Sequence, residues 1–155
     1  MYDVYGLGNA LVDMEYRVDD GFLTRQGISK GHMTLVEEDR LDALSSALVE
    51  YPHEPMSGGS AANTMMAVTG FGAKAFYSCK VADDDTGAHF LSDLKTAGIA
   101  VNDNAGAAAD AKSGRCLVLV TPDAERSMNT FHRISSALSV DEIQEEALAR
   151  SRFFY

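Results

Sequence analysis

The residues Gly58-Gly59-Ser60-Ala61-Ala62-Asn63 stand at the head of the apolar run 64–71, and their types suit the holding of a small polar ligand. Two glycines let backbone approach a ligand closely, because no Cβ intervenes and φ is unrestricted. A helix starting there presents unpaired N–H groups and the positive end of its dipole. Asn63 adds a donor and an acceptor on one short side chain. From these residues alone the cradle fits a phosphate, a sugar, or the cap of its own helix. A second pair, Asn9 and Asp13, follows the β-like run Tyr2–Leu7, at the strand end where ligands of open α/β sheets bind. An aspartate there either accepts charge-assisted hydrogen bonds from vicinal hydroxyls or serves as an ordinary turn residue. Arg126 and Arg133 flank a polar segment and either meet an anion or stay solvated.

Several familiar chemistries are missing. Gly6-Leu7-Gly8 starts like a dinucleotide fingerprint, but the third glycine position holds Leu11, so no NAD site is expected. No glycine loop is followed by Gly-Lys-Ser/Thr, so no Walker-type loop is expected. His32, His53, His89 and His132 show no metal spacing with cysteines or carboxylates, and no metal site is expected in this chain. Asp83-Asp84-Asp85 immediately precedes a helix, where carboxylates stabilise the dipole. The net charge of -10 argues against a nucleic-acid surface. No signal peptide and no membrane-length apolar run is visible, and Cys79 and Cys116 lie in apolar runs as expected of buried reduced thiols. The expectation is a soluble, cytoplasmic protein.

These groups need elements to carry them. At 155 residues and 46% hydrophobic, the chain can form an ordinary core. Residues 14–18 alternate in period two, residues 22–26 suit one helical turn closed by Gly27, and 33–36 suit a strand. Residues 37–51 suit a helix with Leu41, Leu44 and Leu48 on one face, and 54–57 lead into the glycines. Residues 74–82 suit a buried strand, and 84–97 suit a helix ended by Gly98. Residues 102–111 are small and polar; 116–120 and 126–131 suit a hairpin across Thr121-Pro122-Asp123-Ala124. Residues 139–150 suit a helix with Ser139 and Glu142 in a capping box. Strands alternating with helices imply an α/β fold with a parallel sheet. The alternating segments imply a separate antiparallel layer, placing excursions at approximately 13–36 and 102–131 and the α/β core at approximately 2–12, 37–101 and 132–155. Arg152-Phe153-Phe154-Tyr155 suits the start of another core strand, so the chain is expected to be the front part of a longer protein.

Taken in order, Gly8-Asn9-Ala10-Leu11-Val12-Asp13, Gly58 to Asn63, and Val81-Ala82-Asp83-Asp84-Asp85-Thr86-Gly87 resemble the ribokinase-like (PfkB) carbohydrate and nucleoside kinases, nearest the adenosine-kinase branch. Glu125-Arg126-Ser127-Met128 continues the match, and Ala82 departs from the family's usual glycine. The resemblance implies a Rossmann-type α/β domain with a small β-sheet lid, the acceptor lying between them. It implies phosphoryl transfer from ATP, with Mg²⁺, to a hydroxyl (a primary one is expected) of a sugar or nucleoside. By matching motif, Asp13 would bind acceptor hydroxyls with Asn9 beside it. Gly58, Gly59, Ser60 and Asn63 would contact the same sugar, the glycine pair would hinge the lid, and Arg126 would approach the transferred phosphate. The family's base lies in a Gly-Ala-Gly-Asp loop that this sequence lacks; Asn104-Ala105-Gly106-Ala107 does not match it. The base is therefore expected beyond Tyr155, and the 155-residue chain alone is expected to be inactive. The expected partners are the small-molecule acceptor and ATP, with neither nucleic acid nor membrane. The protein is expected to be a monomer or a lid-mediated homodimer. The alternative is a sugar- or nucleoside-binding protein without catalysis on the same scaffold.

Overall fold

The computed structural model describes residues 1–102 and 111–155; the string at 104–107 and part of the 102–111 stretch lie outside them. The chain divides into two compact units.

The first unit comprises Met1–Val12, Ser57–Gly114 and His132–Tyr155. Its sheet contains β1 (Tyr2–Leu7), β5 (Ala75–Ser78), β6 (Ala100–Val101) and β9 (Ser151–Phe154), in the order β6-β5-β1-β9. Every pairing is parallel, as helical crossovers require, with Val4 opposite Ala75 and Phe153. One face is covered by α3 (Ser60–Gly70) and α4 (Asp85–Thr96), which bury Ala62, Met65, Phe90 and Leu94 against Ala75 and Tyr77. The other face, with Tyr5 and Phe76, is covered by α5 (Glu145–Ala149) through Ala147 and Leu148.

The 139–150 segment is not one helix. It breaks into a 3-10 turn, Val140–Glu142, an extended Ile143, and the short α5. The capping box of Ser139 and Glu142 forms, but it caps only that turn. The Tyr5 hydroxyl accepts the Gln144 amide at 2.9 Å, holding the chain out of a continuous helical ladder. Ile143 packs beside Tyr5 and Phe76 instead.

The second unit comprises Asp13–Met56 and Arg115–Phe131. Its sheet runs β3-β8-β7-β2-β4, from β2 (Leu11–Arg17), β3 (Met33–Leu35), β4 (His53–Gly58), β7 (Gly114–Val120) and β8 (Arg126–Phe131). β7 and β8 form the expected antiparallel hairpin, with Cys116 opposite Thr130 and Val120 opposite Arg126. Ala124, at φ 64°, supplies the left-handed residue of its turn. Helices α1 (Asp20–Arg25) and α2 (Glu38–Ala47) complete the unit.

The second stretch of this unit starts at Arg115, where the sequence expectation puts an excursion from about 102, and two further points differ from that expectation. Residues 37–56 belong with the second unit, not with the α/β core. The reason is the apolar face of α2: Leu41, Leu44 and Leu48 pack with Leu117, Leu119, Phe22 and Phe131. The lead-in to the glycines is also a strand, β4, at the edge of the second sheet, where Pro55 is tolerated. Both cysteines are free and buried, and burial pushes their thiols up to about 12 for Cys79 and about 11 for Cys116. No described helix is long and apolar enough to cross a membrane.

Candidate functional site

In the first unit, β1 ends at Leu7 and the chain turns through Gly8 and Asn9 directly against the start of α3. A Cβ on Gly8 would lie 2.8 Å from the Ala61 Cβ and 2.9 Å from the Tyr77 hydroxyl. Gly59 has φ 97°, and a Cβ there would lie 2.8 Å from the Asn9 carbonyl oxygen. Backbone conformation and space both demand glycine at this point. The sequence thus brings Gly8-Asn9 and Gly58-Gly59 together across 50 residues because each lacks what the other would strike.

The Asn9 carbonyl is held by the Tyr77 hydroxyl at 3.2 Å. Burial raises the Tyr77 phenol far above its ordinary value, with Cys79 adding to the shift, so the hydroxyl stays protonated. Helix α3 starts at Ser60 with Gly59 as N-cap, and no side chain caps it. Its first amides are therefore not consumed by a cap, which answers one of the readings that the sequence left open. Gly58 is buried, Asn9 and Gly59 are half-buried, and Ser60 and Asn63 are exposed. The Asn63 amide closes the first helical turn on the Gly59 carbonyl at 2.9 Å.

The acidic run behaves differently. Asp84 caps α4 through the Gly87 amide at 2.7 Å, and it also accepts the Ser113 amide at 2.8 Å. The Ser113 hydroxyl in turn accepts the Ala82 amide at 2.9 Å. A Cβ on Gly87 would strike the Ala82 carbonyl, so this motif glycine is fixed by packing. Among the described residues no group of three His, Cys, Asp or Glu could hold a metal ion. The Asp84 carboxylate is committed to main-chain amides.

In the second unit, Asp13 stands on β2 with Glu15 and Arg17 on the same side, by strand alternation. Asp13 is half-buried, and burial raises its carboxyl above the ordinary range, with the Arg126 charge opposing. Arg126 is exposed and pairs with Glu15 at 3.1 Å, so a phosphate role would require exchange of that partner. A cleft of about 490 Å³ in this unit is lined by Glu15, Arg17, Pro52, His53, Glu54 and Met56. Its lining contains none of the residues that the sequence assigns to the acceptor or the phosphate.

Sequence reasoning missed Tyr77 and Ser135. The Ser135 hydroxyl donates to the Ala10 carbonyl at 2.6 Å and accepts the Gly114 amide at 3.3 Å. The only signal for Tyr77 is a tyrosine inside a buried strand, whose hydroxyl must find a partner. Ser135 gives no signal at all.

A doubly covered parallel sheet, with a glycine-paired loop and a helix without a side-chain cap at the carboxyl end of its first strand, defines an α/β protein of Rossmann type. The chain belongs to the pfkB family of carbohydrate kinases, whose family description matches residues 52–155. Among solved structures it is similar to the adenosine kinase from Sinorhizobium meliloti, at 37% identity and TM-score 0.89, covering 99% of this chain and 46% of that one. The probable sugar kinase protein from Rhizobium etli CFN 42 gives 33% identity and TM-score 0.90, with 99% and 46% covered. The guanosine-inosine kinase of Escherichia coli K12 is 27% identical over 151 residues, covering 94% of this chain and 35% of that protein. The chain thus spans about a third of its curated relatives' length and just under half of these structures.

Proposed function

We propose that this chain carries the acceptor-binding part of an ATP-dependent sugar or nucleoside kinase. The observation that carries the reading is Gly59, held at φ 97° against the Asn9 carbonyl at the head of an uncapped helix. That arrangement offers backbone amides and small polar side chains to a ligand without a cap competing for them. Asn9, Gly58, Gly59, Ser60 and Asn63 take the acceptor's hydroxyls from the first unit. Asp13 is assigned a carboxylate role toward the acceptor's hydroxyls, and the glycine pair serves as the hinge. The names of the relatives, kinases of adenosine, of guanosine and inosine, and of a sugar, support a ribose-bearing or sugar acceptor.

In the reaction, an acceptor hydroxyl oxygen bonds to the γ-phosphorus of ATP while the bond to ADP breaks and the hydroxyl proton leaves to a base. Charge spreads over the phosphoryl oxygens, so alignment and electrostatic stabilisation supply most of the acceleration. This chain's share is alignment. Asp13 accepts hydrogen bonds from hydroxyls that do not react, which fixes the reacting one. Arg126 is assigned to the transferred phosphoryl group. ATP and Mg²⁺ are proposed to be held mainly outside these 155 residues, as is the base, because the sequence contains no Gly-Ala-Gly-Asp.

The test expresses the chain with any coding sequence that continues past Tyr155. ATP and Mg²⁺ are supplied with adenosine, guanosine, inosine, ribose and fructose. Transfer to at least one acceptor is expected. No transfer to any of them, with calorimetry showing acceptor binding intact, would replace this reading by the non-catalytic binder. The 155-residue chain alone is expected to show no turnover.

A further inference from the structure

Ser135 lies in the 3-10 turn Arg133–Ala137 of the first unit and has no exposed surface. The turn is entered through Arg133 at φ 40°, one of two non-glycine residues with positive φ among those described. The turn is held by the Ser135 amide on the His132 carbonyl at 3.0 Å and by the Ile134 amide on the Lys112 carbonyl at 3.4 Å. This geometry aims the hydroxyl inward, where it meets two main-chain groups at once. It donates to the Ala10 carbonyl at 2.6 Å and accepts from the Gly114 amide at 3.3 Å. A hydroxyl has one proton and two lone pairs, so both bonds coexist.

Those two groups stand at the roots of β2 and β7, neighbouring strands of one sheet. The serine hydroxyl therefore occupies the place of a rung between them. The space is closed to anything larger on the facing strand: a Cβ on Gly114 would lie 2.8 Å from both the Ala10 carbonyl and the Ser135 hydroxyl, and 2.7 Å from Leu11. The preceding carbonyl, that of Asn9, is held by the Tyr77 hydroxyl at 3.2 Å. Two consecutive carbonyls are thus anchored by hydroxyls from two different elements. Between them they fix the peptide planes on either side of Ala10, and so the placement of Asn9 next to the start of α3.

We propose that Ser135 is a positioning residue for acceptor binding: its hydroxyl clamps the Ala10 carbonyl and the Gly114 amide at the roots of β2 and β7 and thereby aims Asn9. This assignment rests on the acceptor-binding reading above. Ser135 touches no substrate and acts only through the main chain it holds. A buried serine that merely satisfies its neighbours would change how much protein folds, not which substrate the folded protein binds poorly.

The experiment uses the protein expressed with any sequence continuing past Tyr155 and measures KM for acceptor and for ATP separately. Removing one buried hydrogen-bond donor from the clamp in Ser135→Ala is expected to raise acceptor KM about tenfold, because a lost bond of this kind is worth roughly one decade of affinity. KM for ATP and kcat should stay within about twofold, since uniform acceptor binding is what has been lost. Ser135→Cys, which keeps a weak donor on a somewhat larger atom, should fall between wild type and Ser135→Ala. If Ser135→Ala does not fold, the cysteine variant carries the test alone, and a wild-type acceptor KM in it overturns the clamp. A Ser135→Ala enzyme with unchanged acceptor KM, or with ATP KM and kcat shifted as far as acceptor KM, also overturns it. If wild type neither phosphorylates nor binds any acceptor, the functional reading and this assignment fall together. An active wild type with an unaffected Ser135→Ala removes the assignment alone.

Discussion

Helices α3 and α4 begin in the same unit, yet their first turns are completed in opposite ways. At α4 a carboxylate closes the end: Asp84 accepts the Gly87 and Ser113 amides, and Gly87 itself is pinned by the Ala82 carbonyl. At α3 the capping position is Gly59, which has no side chain and leaves no side-chain cap. A buried or half-buried helix end without a cap is costly unless water or a ligand supplies the bonds. The same contrast separates two carboxylates. Asp84 is satisfied by main-chain amides, whereas among the described residues nothing hydrogen-bonds the Asp13 carboxylate, which burial pushes toward protonation. One helix start is finished by a side chain of the protein, and the other is left to water or to a ligand. Incomplete polar groups on a rigid frame are what distinguish the candidate site from the structural motif beside it.

The largest effect is expected from closing the open end by force. Gly59→Ala adds a Cβ 2.8 Å from the Asn9 carbonyl at a φ of 97°. Strain of this kind costs on the order of 1–3 kcal/mol, and displacement of Asn9 should weaken acceptor binding by well over tenfold. Unfolding in urea and acceptor calorimetry measure the two effects, and unchanged acceptor affinity in a folded variant would mean that α3 is no more a binding element than α4. Next comes Asp13→Asn, which should weaken acceptor affinity by about 10- to 100-fold, since bonds to a charged group are worth roughly 1.5–3 kcal/mol each. Its stability should move the other way. A carboxyl raised by burial binds its proton more tightly when folded, so the wild type loses stability as pH rises through that raised value. The asparagine variant should therefore be the more stable protein at pH 7, and the gap should close below about pH 4, where the ordinary aspartate is protonated in both states. A variant less stable than wild type at neutral pH would show that Asp13 is as well satisfied as Asp84.

What the sequence revealed follows from the range of each interaction. The β7–β8 hairpin and α4 were legible because their patterns and turn residues are local. The spacing of Leu41, Leu44 and Leu48 shows that α2 buries a face, but not which sheet receives it. Strand β4 pairs because β2 lies beside it, and its own exposed residues carry no strand pattern. The glycines of the site were legible because their conformational freedom is a property of the residue itself. Tyr77 and Ser135 were not, because they hold carbonyls 68 and 125 positions away, and a hydroxyl bonded to main chain leaves no spacing to read.

The remaining contrasts are smaller and lie on the closed end. Asp84→Ala removes a cap, worth about 1–2 kcal/mol, and leaves the Gly87 and Ser113 amides without their acceptor. Urea unfolding should show that loss, while acceptor KM in the folded protein stays within about twofold. An acceptor KM raised as far as in Gly59→Ala would erase the distinction between the two helix starts. The smallest effect belongs to Asp85, exposed in the first turn of α4, whose charge acts on the helix dipole without closing a bond of the cap. Asp85→Ala should cost only about 0.3–1 kcal/mol. Because a surface charge is screened over about 3 Å at 1 M salt, most of that cost should vanish there. The Asp84 cost should persist at the same ionic strength, since it comes from hydrogen bonds at 2.7 and 2.8 Å and not from a distant field. Equal salt sensitivity in the two variants would mean that α4, too, is held by charge alone, and that its end is no more closed than that of α3.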